Sequence, residues 1–540
     1  MQKIEGNIVD VVNKTIQKGV VIITNGKISE IEYKDVLSNH FIIPGFIDAH
    51  VHVESSMLIP SEFARLAVLH GTIATISDPH EIGNVLGKDG VKFMIENGKQ
   101  TPFKFYFGAP SCVPATQFET AGANISPKDI EEILSWEGVN YLAEMMNYPG
   151  VVFGDEEVLE KIAIAKRMGK VIDGHLPGIR GEMAEKYIAA GISTDHECFG
   201  LEEALEKISH GMKIIIREGS AAKNFEALWT IIDQFPEKVM FCSDDKHPND
   251  LVVSHINNIA KRAIAKGCDL FNVLRACSKN VVEHYSMDVG LLQLNDPADF
   301  CVVKDLKDFE VVQTFINGEL VAENQKSFIK SIEIAPLNNF SCDFISKDQI
   351  QIASDSTNVK VIVVENGQLI TKQENHILTD ENGFLVSDVK NDILKIVVVN
   401  RYETAKPAIA FVKNFGLKSG AIASCVAHDS HNIIAVGVDD DAIVKAVNLI
   451  IKEKGGVSLS SADLEMVVPL PVAGIMSHKD AYQIANEYSK IDAVAKNLGS
   501  KLNAPYMTLS FCALLVIPEL KLSDKGLFDG KKFEFVSVYN

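Results

Sequence analysis

Two histidines at alternate positions are the first sign of chemistry in this sequence. Residues 41–56, FIIPGFIDAHVHVESS, form an apolar run that ends in His50 and His52. Alternate residues of a β-strand project from the same face, so the two imidazoles point together and suit one divalent cation. A single His-x-His is a weak signal among 15 histidines in 540 residues. The pair indicates a metal site only if further ligands follow later strands.

The segments that would position these histidines alternate between strand and helix patterns. Eight short apolar strands separated by amphipathic segments, over roughly 250 residues, are typical of a (β/α)8 barrel. The competing architecture is a doubly wound open sheet, but no Gly-rich dinucleotide loop follows the first strand. Predicted helices include 60–70, 155–168 and 225–235. The first predicted strand ends at 47–48, and the others cover 72–77, 103–107, 140–143, 170–173, 191–194, 213–216 and 238–242.

Strand-rich segments flank the predicted barrel on both sides. Residues 20–32 alternate around Asn25-Gly26, a strong hairpin turn signal, and residues 290–321 contain a similar turn at Asn317-Gly318. We expect an α/β protein in which residues 1–43 and 286–340 form one small β-domain beside a (β/α)8 barrel at 44–285. Residues 345–540 are expected to form a C-terminal α+β domain.

Composition and charge narrow the class of protein. Hydrophobic residues make up 46% and charged residues 23%, which is an ordinary globular balance. The net charge of −20 argues against nucleic acid or an anionic membrane as a partner. No signal segment or membrane-length apolar run is evident, and the nine cysteines form no C-x-x-C pair. We therefore expect a cytoplasmic protein with reduced thiols. As partners we expect a small-molecule substrate and a second copy of the chain in a homodimer.

Ligand-type side chains recur at the carboxyl ends of the predicted strands, where barrel enzymes carry their active sites. Nitrogen and oxygen ligands without thiolate suit two divalent ions such as Mn, Fe or Zn, bridged by a carboxylate. Alone, each residue has an ordinary reading: a core histidine, a solvated glutamate or a turn aspartate. Their coincidence at strand ends favours the set, which comprises His50, His52, Asp78, His80, Glu81, Glu144, His175, His196, Arg217, Glu218, Asp244 and Asp245.

Other catalytic motifs are incomplete. His52-Val53-Glu54 matches the H-x-E start of the small zinc deaminases, but their P-C-x-x-C partner is missing. His196-Glu197 does not continue as H-E-x-x-H, and no Walker loop or G-x-S-x-G is present.

A set of longer motifs resembles one enzyme family. PGFIDAHVHVESS, DPHEIGNV, SCVPA, LAEMMNYPGV, DGHLPG, IREGSAAKN and SDDKHP together are similar to the bacterial adenine deaminases of the amidohydrolase superfamily, as is VAHDSHNIIAVG near the C-terminus. The combination is far more specific than any single motif. The resemblance implies hydrolysis of adenine to hypoxanthine and ammonia in purine salvage or adenine catabolism. It also implies a metal-dependent barrel, with manganese ahead of iron or zinc.

The resemblance also implies roles for individual residues. His50, His52, His175 and His196 would be metal ligands, and Asp244 both a ligand and the proton shuttle. Glu144 would be the bridging carboxylate, where many superfamily members carry a carboxylated lysine.

Deamination also requires a proton on the purine ring as negative charge builds there. Our first candidate for the donor is Glu218, followed by Glu81 and Glu54. We expect Glu54, His80, Glu81 and Asp245 to contact the substrate. Each of these carboxylates has an equally good alternative role, which is to fix the tautomer of a neighbouring histidine.

Three alternatives stay open. The same residues could hydrolyse a cyclic amide or deaminate a different aminopurine, or an inherited barrel could have become a silent binding protein. In the C-terminal region, His428, Asp429, His431 and Asn432 could enter the active site or hold another ion. We favour a tight turn with satisfied side chains for this segment.

Overall fold

The computed structural model describes residues 1–540, and its N-terminal segment is a β-meander joined to one further strand. Asn25 and Gly26 both have positive φ, 51° and 77°, so the predicted hairpin turn is confirmed between the second and third strands. The strands are β1 (Gln2–Asp10), β2 (Thr15–Thr24), β3 (Lys27–Tyr33) and β4 (Phe41–Pro44).

Eight parallel strands then form the predicted barrel. The first five pair in chain order, as do the last three, and a parallel bridge from Val51 to Asp244 joins the first strand to the eighth. The sixth strand is shorter than predicted because Gly191, with φ of 98°, lies in a turn rather than in the strand. The strands are β5 (Phe46–Val51), β6 (Thr72–Ser77), β7 (Lys104–Ala109), β8 (Val139–Met145), β9 (Val171–Gly174), β10 (Thr194–Asp195), β11 (Lys213–Arg217) and β12 (Val239–Cys242).

Helices cover the outside of the barrel, and their apolar faces pack on the strands. The helix predicted over 225–235 is divided into two short helices, and the others lie close to their predicted positions. None of the helices in the chain combines the length and the apolar composition that a membrane crossing needs. The barrel helices are α1 (Pro60–Ala67), α2 (His80–Gly98), α3 (Pro127–Leu134), α4 (Tyr148–Phe153), α5 (Glu156–Arg167), α6 (Glu182–Ala189), α7 (Leu201–Ser209), α8 (Phe225–Leu228), α9 (Ile231–Gln234), α10 (Pro248–Leu251), α11 (Ile256–Ala265), α12 (Leu270–Ala276) and α13 (Lys279–Tyr285).

The chain then returns to the N-terminal sheet. Four strands add to β1–β4, and the eight-stranded sheet has the order β16-β15-β14-β13-β4-β1-β2-β3. The prediction that both ends of the barrel segment build one small β-domain is therefore confirmed. The added strands are β13 (Phe300–Val303), β14 (Val311–Ile316), β15 (Glu319–Glu323) and β16 (Lys326–Ser327).

A C-terminal α+β domain follows, which confirms the expected fold class; the domain boundaries given above stay a prediction. Its main sheet has the order β18-β17-β22-β21-β24-β23-β25-β26. Its helices are α14 (Asp440–Glu453), α15 (Ala481–Asn497) and α16 (Pro505–Phe511). Its strands are β17 (Asn358–Val363), β18 (Lys372–Ile377), β19 (Asp380–Glu381), β20 (Phe384–Leu385), β21 (Ile393–Val399), β22 (Ala408–Lys413), β23 (Ala421–Ser424), β24 (Ile433–Gly437), β25 (Gly456–Ser460), β26 (Glu465–Pro469), β27 (Leu520–Ser523), β28 (Gly526–Asp529) and β29 (Glu534–Phe535).

The C-terminal domain packs against the mouth of the barrel. Asn432 Nδ2, on the loop between β23 and β24, donates a hydrogen bond to the carbonyl of Thr120, 2.9 Å away. The amide of Thr120 in turn donates to Asp524 of the C-terminal domain at 2.9 Å. The two domains therefore share a boundary at the carboxyl ends of the barrel strands.

A buried lysine fixes the end of β10, which directly precedes the predicted ligand His196. Lys207 of α7 is fully buried and donates to Asp195 Oδ2 at 2.8 Å and Glu203 Oε1 at 2.7 Å. It also donates to the carbonyl of Leu176 at 2.5 Å. The positive charge of this buried ammonium group compensates the negative charges of both carboxylates.

Replacing Lys207 by methionine should therefore leave two carboxylates buried and unpaired. We expect Lys207→Met to lower the free energy of unfolding by about 3–5 kcal/mol, measured by urea denaturation. The matched control is Lys186→Met, which removes an exposed lysine that pairs with Glu182 one helical turn away, and should cause no measurable change. Equal losses in the two variants would contradict the role given to Lys207.

Candidate active site

The predicted metal ligands meet at the carboxyl ends of the barrel strands. The Nε2 atoms of His50 and His52 lie 3.2 Å apart. Glu144 Oε1, at the end of β8, and Asp244 Oδ1, just beyond β12, each lie 3.2 Å from His52 Nε2. All four side chains are buried.

The remaining two predicted ligands lie on the other side of Glu144. His175 Nδ1 is 2.7 Å from Glu144 Oε2, and His196 Nε2 is 3.4 Å from the same oxygen. The rings of His50 and His196 stack with their centroids 4.1 Å apart. The carboxylate of Glu144 therefore lies between two pairs of imidazoles, as a bridging ligand must.

The electrostatics of this cluster fit a divalent cation. His52 Nδ1 lies 3.2 Å from the carbonyl of Asp78, to which it donates, so the lone pair of Nε2 points at His50 and the two carboxylates. Burial opposes protonation of His52, yet Asp244 and Glu144 raise its pKa well above the ordinary value. The cluster thus attracts positive charge strongly. Overlapping subsets of its nitrogen and oxygen atoms lie within 4.8 Å of one another, which suits one or two ions such as Mn, Fe or Zn.

Arg217 sets the charge of the neighbouring carboxylates. Its guanidinium donates to Asp244 Oδ2 at 2.7 Å and to both oxygens of Glu197. Burial opposes ionisation of Asp244, but Arg217 outweighs it and holds the pKa of Asp244 well below its usual range. No pattern in the sequence assigned a role to Arg217 or Glu197. The only local indication is that both lie at strand ends, next to predicted site residues.

A second carboxylate aligns the strand that carries the first histidines. Asp48 accepts hydrogen bonds from the amide of Ser243 at 3.0 Å and from His255 Nε2 at 2.9 Å, and its Oδ1 lies 3.3 Å from the amide of His50. These bonds join β5 to β12 directly below the cluster, and so fix His50 relative to Asp244.

Three of the four residues predicted to contact the substrate line a small cavity above the cluster: His80, Glu81 and Asp245. His80 Nδ1 lies 3.2 Å from Asp78 Oδ2, and its ring centroid is 4.6 Å from that of His52. Asp245 Oδ1 accepts a hydrogen bond from Ser55 at 2.5 Å. These contacts orient the side chains next to the cluster.

Glu218, predicted to donate the ring proton, and Glu54, predicted to contact the substrate, lie outside this cavity. Arg217 faces into the barrel, and because strand side chains alternate, the next residue, Glu218, points outward and pairs with Arg262. Glu54 does not line the cavity, and its carboxyl accepts a hydrogen bond from the amide of Ile82 at 3.2 Å. Burial is the main cause that raises the pKa of Glu54 to about 7.

The C-terminal domain closes this cavity, so the tight turn favoured for the AHDSHN segment is only part of its role. His428 Nδ1 forms a hydrogen bond with the carboxylate of Glu81, and His431 Nε2 lies in ion-pair contact with its other oxygen. The free volume between the domains is about 20 Å³, and a neighbouring cavity of about 410 Å³ shares Met146 with it. The residues that the C-terminal domain adds to the cavity are Leu369, His428, Asp429, Phe511 and Leu514.

Comparison with known proteins agrees with this arrangement. Residues 41–321 match the model of the amidohydrolase family, and residues 368–534 match the model of the adenine deaminase C-terminal domain. The chain is 55% identical over 535 residues to an adenine deaminase of Sulfurovum sp., covering 99% of each chain. It is 50% identical over 550 residues to that of Methanosarcina acetivorans, covering 100% of each, and 48% identical over 545 residues to that of Borreliella burgdorferi, covering 99% of each. The chain belongs to the adenine deaminase family of amidohydrolases.

Proposed function

We infer that this chain is a metal-dependent aminohydrolase that converts adenine to hypoxanthine and ammonia. The observation that carries this function is the buried cluster of four imidazoles and two carboxylates at the barrel mouth, in a chain whose full-length relatives are named adenine deaminases. Deamination needs a nucleophile made from water and a proton for the departing nitrogen. The cluster and its neighbours can provide both.

The residues that would hold the metal are His50, His52, Glu144, His175, His196 and Asp244. Glu144 lies between the imidazole pairs, so it would serve both ions if two are bound. Nitrogen and oxygen ligands suit Mn, Fe and Zn alike, and the family resemblance makes manganese our first choice. Bound divalent ions would lower the pKa of water and polarise the reacting carbon.

Asp244 is well suited to carry the proton. Arg217 fixes its Oδ2 at 2.7 Å and keeps the group ionised, while its Oδ1 faces the imidazoles. A carboxylate held in this way can accept a proton from the attacking water and deliver it to the amino nitrogen as that nitrogen leaves.

Asp245 can assist at the purine ring. Its carboxyl lies in the cavity, where burial is the main cause that raises its pKa. A carboxyl group at this place can transfer a proton to a ring nitrogen as negative charge builds there. Glu81 and His80 line the same cavity, and Leu369, Phe511 and Leu514 offer apolar surface to the faces of the ring.

The wider biological assignment follows from the same proposal. Adenine turnover places the enzyme in purine salvage or adenine catabolism. All nine cysteines are free, which favours a reducing, cytoplasmic location, and the charge of −20 disfavours nucleic acid as a partner. We propose a homodimer as the assembly.

A substrate panel separates this function from its nearest alternative. The same cluster could open a cyclic amide or act on another aminopurine, so purified Mn-loaded protein should be offered adenine, 2,6-diaminopurine, dihydrouracil and hydantoin. We expect ammonia release from adenine with the highest kcat/KM and no ring opening of the amides. Ring opening without ammonia release from adenine would replace the proposal.

The role of Asp244 is tested by an isosteric change. We expect Asp244→Asn to lower ammonia release by about 10²–10⁴-fold, because the amide cannot accept the proton. Asp348→Asn, which alters an exposed carboxylate in the C-terminal domain, should leave turnover unchanged. Near-normal turnover in Asp244→Asn would rule out the proton-transfer role.

The placement of Glu218 outside the cavity can be tested in the same assay. Because Glu218 points away from the cavity and pairs with Arg262, we expect Glu218→Gln to retain kcat within about threefold. Glu81→Gln, which alters a carboxylate that lines the cavity, should lower kcat/KM at least about tenfold. The opposite ranking of the two variants would restore the original assignment.

A further inference from the structure

The loop at residues 425–432 of the C-terminal domain is held rigidly over the barrel mouth. Tyr402 donates a hydrogen bond to the carbonyl of Ser430 at 2.6 Å, and the amide of Arg401 donates to Asn432 Oδ1 at 3.1 Å. Asn432 Nδ2 bonds to Thr120 of the barrel domain at 2.9 Å. The side chains of this loop are therefore placed with respect to both domains.

The loop also places two imidazoles beside one carboxylate of the cavity. The amide of Ala427 donates to His431 Nδ1 at 3.2 Å, so the hydrogen of that ring is on Nε2, which lies in ion-pair contact with one oxygen of Glu81. His428 Nδ1 forms a hydrogen bond with the other oxygen of Glu81. Each oxygen of Glu81 thus has an imidazole of the C-terminal domain beside it.

Asp429, on the same loop, has an oxygen without a partner. Its side chain is 3% exposed and lines the cavity. Its Oδ1 lies 3.7 Å from His80 Nε2, while Oδ2 is buried and has no hydrogen-bond donor. Buried carboxylate oxygens are normally bonded, and an unpaired one is costly. Asp429 thus places on the wall of the cavity a carboxylate with one oxygen that no donor of the protein satisfies.

Adenine offers N–H groups at only two places. One is the amino group on the reacting carbon, which must face the metal ligands. The other is the single N–H of the five-membered ring, on N9 or N7. If the amino group lies at the cluster, the ring N–H is the donor left for Asp429.

We propose that Asp429 is a specificity-determining residue that accepts a hydrogen bond from this ring N–H and so selects free purine bases. This inference rests on the proposed function. A nucleoside or other N9-substituted purine has no such N–H and would leave Asp429 unpaired. Sites built to bond an N–H reject analogues that lack it by up to about 10⁴–10⁵-fold.

The test compares adenine with 9-methyladenine, in which neither tautomer has a ring N–H. For the unaltered enzyme we expect kcat/KM to be at least about 10³-fold higher for adenine. In Asp429→Asn, kcat/KM for adenine should fall at least about thirtyfold, while that for 9-methyladenine stays within threefold. The matched control is Asp524→Asn, in the same domain, because both oxygens of Asp524 already accept hydrogen bonds from Thr120 and Asn400. This control should keep the wild-type ratio.

Each outcome decides the proposal. Equal kcat/KM for the two bases in the unaltered enzyme overturns it without any variant, as does a parallel loss on both substrates in Asp429→Asn. If the enzyme releases no ammonia from adenine, the proposed function fails. Asp429 is then judged by calorimetric binding of the same two bases, where equal Kd values overturn its role and tighter binding of adenine supports it.

Discussion

The crowding of electron pairs around Glu144 is the constraint on which the rest of the structure depends. His50 and His52 bring their Nε2 atoms within 3.2 Å of each other, and carboxylate oxygens lie at the same distance from His52. Such a group of acceptors is repulsive unless a cation lies among them. The barrel holds these acceptors together. His50 and His52 come from the end of β5, and the other four side chains each come from the end of a different strand.

The surrounding layer serves to keep that cluster ionised and aligned. Arg217 binds Asp244 and Glu197 at once, and Asp48 ties β5 to β12 below the ligands. Above it, the C-terminal domain places His428 and His431 beside Glu81 and supplies apolar cover for the cavity. Side chains from the barrel and from the second domain thus line one small cavity.

The sequence predicts those parts of the site that depend on residues close together in the chain, and not those that depend on distant ones. The spacing of His50 and His52 encodes their common face, and the residue types at strand ends point to the other four members of the cluster. Glu218 lies outside the cavity and Arg217 inside it because one residue of strand register decides between the two faces. The contact of His428 with Glu81 joins residues 347 positions apart, and no local pattern encodes it. The AHDSHN motif therefore could be noticed in the sequence but not assigned.

The central claim is that Glu144 and the five side chains around it bind metal. Anomalous diffraction from crystals of the manganese-loaded protein, recorded on both sides of the manganese absorption edge, tests it most directly. The account predicts anomalous peaks bounded by His50, His52, His175, His196 and Asp244, with Glu144 between them. No peak at this place, or a peak only beside Glu81 and His431, would contradict it.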